Sequence, residues 1–523
     1  MTLDFAPSIT PVSTEPVILD GSPLDFATLT RIARKSTHVA ADSAALERVR
    51  ASRVILVDAI ASGQPVYGST TGVGAMKDVS WSPEDLETFN LGLVRAHHFG
   101  TGDPFPTEVI RNAIAIRTNM ALTGRVGCTT ELVDAFLNLL DRDVVPVVRR
   151  TGSIGCADIG LMGQIGAVLT GVGEAMHGGE RLSAAVALER AGLKPVRLAP
   201  RDSLAAVSTN SVAFAAAANA VREAAHALRV LLATGLTTAG ALGASRDPWK
   251  AVAHVGTPRE ATVGAWLYFN AKGWDWPDAT HVQDPLSLRM MSQVFATAFE
   301  SIITAARTII AATGRTDDNP VVAGGQVLTS GGSLPLDVTV FLQAAQLGLA
   351  HVARNSFNRC VLLGNGGRRG LPVNLVAPGA IATGFGPIIK LAGDLFVRVL
   401  SLTQPISPQA LVVAGGIEDE AAFLPLVVER FERQVLALRR LAAIEAILAA
   451  QAMDISGDKP GSVPGLIHGL VRRLAPFYLT DRPLSMDIEA IEEALNSQVF
   501  LGDLLDLSVL DEIDTYFALG PTR

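Results

Sequence analysis

The sequence predicts a mainly α protein: a long helical bundle with a smaller N-terminal domain. Three observations carry this. From about Ser203 the chain is dominated by Ala- and Leu-rich stretches with helical periodicity, of which Val212–Leu242 and Val427–Gln451 are the clearest. Strand-like alternation is short and scattered, as in Val321-Val322 and Gln326-Val327-Leu328. The composition is apolar, with 49% of the 523 residues hydrophobic and only 18% charged, and a mean hydropathy of +0.33. Such a chain must cover much of its helical surface, and its many alanines suit close helix packing between subunits.

Taken in order, residues 1–20 carry Pro7, Pro11 and Pro16 among Ser and Thr and read as a loosely held arm. Residues 21–200 read as the N-terminal domain, with helix-period segments from Asp25 to about Leu140. Ser82-Pro83-Glu84-Asp85 is a helix-start signal: Ser as N-cap, Pro in the first turn, then acids. Tyr67-Gly68-Ser69-Thr70-Thr71-Gly72-Val73-Gly74 is a small-residue loop. It is no phosphate-binding loop, because no Lys follows in position and no strand clearly precedes it. Residues 201–523 read as the bundle and C-terminal region, with Asp284–Thr313 and Asp337–Asn355 as further long helices. On Val427–Gln451, Arg430, Arg433, Arg439 and Arg440 form a polar face, with Val435, Leu436, Leu438 and Leu441 opposite.

A net charge of −8, with no Lys/Arg cluster, argues against nucleic-acid binding. Arg368-Arg369 and Arg439-Arg440 are isolated pairs, expected in solvent or in local ion pairs. No uninterrupted run of roughly 18 apolar residues argues for a membrane span. The three cysteines, Cys128, Cys156 and Cys360, have neither CxxC nor metal spacing. A reducing, cytoplasmic setting is expected, and the Met1–Phe5 start lacks the basic and apolar segments of a signal peptide.

Several places stand out chemically. Tyr67, one of only four tyrosines, sits in the Gly-rich loop. His97-His98 precedes Phe99-Gly100-Thr101-Gly102, without further ligands for a metal. Gln283-Asp284-Pro285-Leu286-Ser287-Leu288-Arg289 is a polar turn leading into a helix. Thr316-Asp317-Asp318-Asn319-Pro320 reads alone as a turn after a helix. Gly152-Ser153-Ile154-Gly155-Cys156-Ala157-Asp158 is the most informative of all.

Together these segments resemble the histidine/phenylalanine/tyrosine ammonia-lyase family. Tyr-Gly-x-x-Thr-Gly-x-Gly matches at Tyr67–Gly74, Leu-Val-x-x-His at Leu93–His97 and Gly-Ser-x-Gly at Gly152–Gly155. Gln-Asp-Pro-x-Ser-Leu-Arg matches at Gln283–Arg289, Asp-Asn-Pro at Asp318–Pro320, Ser-Gly-Gly at Ser330–Gly332, and an acidic pair at Glu418-Asp419. The resemblance implies a fumarase/aspartase-type helical bundle, a homotetramer whose sites combine residues of several subunits, and a small amino-acid or betaine substrate. It implies Tyr67 as the base at the substrate β-carbon. It implies Arg289, helped by Asn319, as the carboxylate clamp. His97 and Glu418 would hold an imidazole ring, and Gln283 would line the same pocket.

The departures matter equally. In that family the Gly-Ser-x-Gly lead-in runs into Ala-Ser-Gly, which cyclises to a methylidene-imidazolone electrophile (MIO). Here Cys156-Ala157 meets Asp158 directly, so MIO is expected to be absent and Cys156 to be an inert buried thiol. The family Asn near the cofactor is Ser208, the second family Tyr is Leu286, and an aromatic-His pair is Leu334-Pro335. MIO activates a primary amine by bonding its lone pair; a trimethylammonium has no lone pair and leaves as a neutral amine. The expected reaction is therefore cofactor-independent elimination of trimethylamine from an imidazole betaine such as ergothioneine, giving thiolurocanate. An ammonia-lyase or aminomutase acting on histidine or another aromatic amino acid, and a non-catalytic homologue, are the alternatives.

Overall fold

The computed structural model describes residues 15–82, 84–279 and 281–520. Most of the expected N-terminal arm, and Pro83 of the expected helix start, lie outside the described residues.

The helices that place the site are labelled here in chain order: α1 (Leu86–Ala96), α2 (Thr107–Leu122), α3 (Ile159–Leu169) and α4 (Ser211–Ala241). They continue with α5 (Leu286–Arg289), α6 (Met291–Thr313), α7 (Leu336–Asn365), α8 (Gly386–Ser401) and α9 (Leu424–Ser456). The bundle is built from α4, α6, α7 and α9, with α8 on α7 and α9, and α2 on α4. At about 1.5 Å per residue, the 33-residue α9 spans about 50 Å. Helix α4 is buried on every face, with only Asn219, Arg222 and Glu223 reaching partial exposure. That is why it reads apolar all round, and why its alanines let α9 approach closely.

Strands are few and short. A parallel pair joins 17–19 to 39–41, an antiparallel pair joins 101–104 to 149–151, and a three-stranded sheet joins 145–146, 174–177 and 180–183. The expected Val321/Gln326 alternation is a hairpin of Val321–Ala323 with Gln326–Leu328. One contiguous apolar core runs from Val17 to Leu519.

Three helical stretches, Asp202–Ala241, Met291–Thr313 and Leu336–Asn365, are long and apolar enough to cross a membrane by length and composition. The first lies almost wholly inside the bundle. Charged residues interrupt the others, such as Glu300 and Arg307 in α6.

The structure corrects several expected boundaries. Asp284–Thr313 is two helices, not one. Pro285 (φ −53°, ψ 150°) caps α5 and keeps Asp284 out of the helix, since the residue before a proline avoids helical geometry, and Met290 (φ −105°, ψ 18°) separates α5 from α6. Helix α7 runs ten residues beyond Asn355, until Gly366 takes φ +69°. Helix α1 begins at Leu86, after a turn in which Ser82 Oγ accepts the Asp85 N–H at 3.2 Å. On α9, Leu436 is 56% exposed and shares the face of Arg433 and Arg440, while Val435, Leu438 and Leu441 are buried. Spacings of three and four put residue 436 between those two arginines. The paired arginines all sit in ion pairs: Arg368 with Asp284, Arg369 with Asp458, Arg439 with Glu223 and Arg440 with Glu492.

Candidate active site

Six stretches far apart in sequence converge on a cavity of about 650 Å³ lined by Tyr67, His97, Cys156, Ala157, Asn319 and Glu418, among others. The Tyr67 loop closes on itself: Val66 O accepts from Ser69 and Thr70, and Gly72 N–H bonds Val79 O at 2.8 Å. Within it, Tyr67 Oη accepts the Gly74 N–H at 2.9 Å. Gly74 opens a single 3₁₀ turn, Gly74–Met76, so this N–H is a donor the turn itself leaves free. Burial pushes the phenol above the usual tyrosine value; the Gly74 N–H opposes this, and Glu418 and Cys156 add to it. The group that favours a phenolate is thus a backbone donor, which no side-chain pattern announces.

His97 is the residue at which α1 ends. Its Nδ1 lies 2.7 Å from Leu93 O. A carbonyl only accepts, so Nδ1–H is the donor here, and in the neutral ring Nε2 is the free acceptor. Helix α3 can pass this close because Gly163 has no side chain: a Cβ there would sit 2.3 Å from His97 O. Glu418 is held by a short pairing with Val413, whose N–H bonds Glu418 O at 2.9 Å. Asn319 Oδ1 accepts the Ser330 N–H at 2.9 Å. Its amide NH₂ has no partner among the described residues.

The Gly152–Asp158 loop is locked on both sides. Phe423 N–H bonds Ile154 O at 2.9 Å and Ala422 N–H bonds Gly155 O at 3.3 Å. A Cβ on Gly155 (φ +73°) would lie 2.5 Å from Phe423 N. The Gly-Ser-x-Gly lead-in therefore docks the chain that carries Glu418 onto α9, whatever follows it. Ala157 N–H bonds Ser333 O at 3.1 Å, and Ala157 O accepts Thr209 N–H at 3.0 Å. Asp158 is fully buried, accepts from Ser153 Oγ at 2.6 Å and Ala213 N–H at 3.1 Å, and burial raises its pKa to about 7. These residues do not fit an MIO group. Its methylidene carbon comes from a serine side chain, and Ala157 offers only a methyl with both of its peptide groups already bonded.

Cys156 is not the buried thiol expected. It is half-buried, lines the cavity, and its Sγ lies 3.5 Å from Ser333 Oγ. Burial still raises its pKa, so the thiol stays protonated. Ser208 also lines the cavity, at the end of the short Asp202–Val207 helix. Sequence reasoning missed Ser333, which follows Ser330-Gly331-Gly332 and whose carbonyl also accepts Asn210 Nδ2 at 2.8 Å. Asp317, read in sequence only as part of a turn, is buried beneath the loop with its pKa raised to about 6 by burial and by Asp318.

Gln283 and Arg289 do not reach this cavity within one chain. Gln283 is exposed and Arg289 half-buried on α5. Arg289 Nε is buried without a hydrogen-bond partner, and no carboxylate pairs with its guanidinium among the described residues. An arginine left this way is available to an anion.

Residues 24–473 match the model of the aromatic amino acid lyase family. The histidine ammonia-lyase of Stigmatella aurantiaca is 32% identical over 501 residues, covering 93% of this chain and 97% of that relative. That of Myxococcus xanthus is 32% identical over 508 residues, covering 94% and 97%. Among solved structures, the ergothioneine-degrading ergothionase of Treponema denticola, in complex with desmethyl-ergothioneine sulfonic acid, superposes with a TM-score of 0.90 at 29% identity. It covers 93% of this chain and all of its own. Histidine ammonia-lyase from Trypanosoma cruzi, at 23% identity and a TM-score of 0.85, shares the fold. Fold and relatives define a carbon–nitrogen lyase. The chain belongs to the aromatic amino acid lyase family.

Proposed function

We propose that this lyase eliminates trimethylamine from an imidazole betaine such as ergothioneine, giving thiolurocanate, without MIO. One observation carries the reading. The loop that would supply the electrophile is Cys156-Ala157-Asp158, while Tyr67, His97, Asn319 and Glu418 still line one cavity around it. The similarity to ergothionase supports it. Tyr67, as phenolate, takes the β-proton, and the Gly74 N–H stabilises the charge it carries beforehand. As the new carbon–carbon double bond forms, the C–N electron pair leaves with trimethylamine. That amine needs no activation, and it takes up the released proton in water. His97 and Glu418 hold the ring, and Asn319 helps bind the carboxylate.

Arg289 and Gln283 act, in this reading, from a neighbouring copy in a homotetramer. The unpaired Arg289 guanidinium supports that, as do exposed apolar residues on α6 to α9 and their loops, such as Met290, Phe341, Leu347 and Leu426. The free cysteines, with Cys128 and Cys360 buried, suit the reducing cytoplasm. The test is incubation with ergothioneine, following trimethylamine and the conjugated product. No product at high enzyme concentration overturns the reading. Ammonia release from histidine by a protein of dehydrated mass would favour an MIO-bearing ammonia-lyase instead.

A further inference from the structure

The segment carrying Arg289 is held by buried polar groups that no step of the elimination uses. Helix α5 is a single turn of four residues, too short to hold its own shape in water. Its backbone is tied from outside. Asp284 accepts the Ser245 N–H at 2.7 Å and pairs with Arg368 at 2.5 Å. Trp249 Nε1 donates to Leu288 O at 3.2 Å, and Asn355 Nδ2 donates to Ser287 O at 3.1 Å. Arg289 itself, with Nε unsatisfied, adds nothing to this anchoring.

Asn355 has a conspicuous support. Its Oδ1 accepts from Arg359, one turn on along α7. Arg359 is fully buried and grips Glu445 of α9 with Nε at 2.5 Å and its second terminal nitrogen at 2.9 Å. Glu445 also accepts Thr238 Oγ1 of α4 at 2.9 Å and Ser356 Oγ at 2.5 Å. Three bundle helices thus converge on one carboxylate, and a chain of hydrogen bonds through Arg359 and Asn355 leads from it to the peptide two residues before Arg289. A fully buried ion pair is a poor stabiliser compared with apolar packing, so stability alone does not account for it.

We propose that Asn355, backed by Arg359 and Glu445, is a positioning residue that sets where the Arg289 guanidinium projects. This rests on reading Arg289 as the carboxylate clamp. The bundle core then acts on the site by fixing one short turn, and a displacement of about 1 Å at such a clamp costs up to about 100-fold in rate.

The test uses the full-length protein with Asn355→Leu, Asn355→Asp and, as a control, Arg229→Met. The control breaks another buried pair, Arg229 with Asp514 at 2.7 Å. Asn355→Asp keeps the acceptor for Arg359, removes the donor to Ser287 O and sets a carboxylate oxygen against that carbonyl. Affinities are measured for thiolurocanate and urocanate and for their decarboxylated vinyl analogues, with amide exchange read over residues 283–290. Both Asn355 variants should weaken the propenoates about tenfold or more, leave the vinyl analogues within about twofold, and speed exchange at 287–289. Arg229→Met should lower stability without moving that ratio. Equal losses for both ligand types, or an unchanged ratio and exchange in Asn355→Leu, overturn the proposal. Both measurements stand whether the enzyme turns over a betaine or an amino acid, since each substrate yields a carboxylate product. Failure of betaine turnover in the wild type therefore counts against the proposed function only.

Discussion

Tyr67→Phe separates base chemistry from binding and fold. The substitution removes one oxygen, which accepts the Gly74 N–H at 2.9 Å. A neutral hydrogen bond nets about 1 kcal/mol, and Gly74 N–H faces a cavity where water replaces the lost acceptor. The half-buried ring keeps its packing against the core. Stability should therefore fall by about 1 kcal/mol or less. The rate loss should be far larger, because a positioned base contributes about 10²–10⁴-fold, equivalent to about 3–5 kcal/mol of barrier. KM for ergothioneine should stay within about threefold, since ring and carboxylate contacts are untouched. The wild-type pH profile gives a second check. Burial raises the Tyr67 pKa, so the phenolate fraction grows as pH rises toward and through a value above the usual tyrosine range. The rate should therefore climb on the alkaline side, and the variant should lose that climb. The assay follows trimethylamine release and the ultraviolet absorbance of the conjugated product. A variant within about tenfold of wild type, or one with the same pH dependence, refutes Tyr67 as the base.

Mixing inactive Tyr67→Phe with inactive Arg289→Gln, after dissociation and reassembly, should restore activity at roughly a quarter of sites by random assortment. No recovery would reject a site shared between Tyr67 of one copy and Arg289 of another. Intact mass should equal that of the unmodified sequence, whereas MIO formation loses two waters. Asp158 has a folded pKa of about 7, above its unfolded value, so the native state binds the extra proton. Stability should fall as pH climbs from about 4 to about 7, by at most about 4 kcal/mol. Asp158→Asn, which can still accept from Ala213 N–H, should flatten that slope in thermal melts; an unchanged slope assigns it to other groups.

Much of the fold was legible because helix periodicity is local. Val212–Leu242 and Val427–Gln451 appear as α4 and α9 within a few residues, since Ala and Leu at helical spacing demand the same solution in any bundle. Errors fell where a single residue overrode the pattern. Met290 leaves helical geometry and divides one expected helix into α5 and α6, and Leu436 is exposed because spacings of three and four set it between Arg433 and Arg440. The candidate site was legible as residue types in order, including the missing Ser and Gly after Gly155. Ser333 was not, and Asp317 showed only as part of a turn, because each matters only through the chain packed against it.

By itself, then, the sequence determined which groups are supplied: a tyrosine in a glycine loop, a histidine, an acid, an arginine after a Gln-Asp-Pro turn, and a Cys-Ala-Asp stretch without a serine after Gly155. The tertiary structure alone decided where these groups sit and what surrounds them. It set Gly74 N–H on Tyr67 Oη and Leu93 O on His97 Nδ1, and it buried Asp158 deeply enough to hold its proton near neutrality. It also kept Arg289 out of the cavity of its own chain, on a turn anchored by Asn355. The reason is physical. Proton affinity, hydrogen bonding and reach depend on solvent exclusion and on neighbours hundreds of residues away, and neither is written in local spacing.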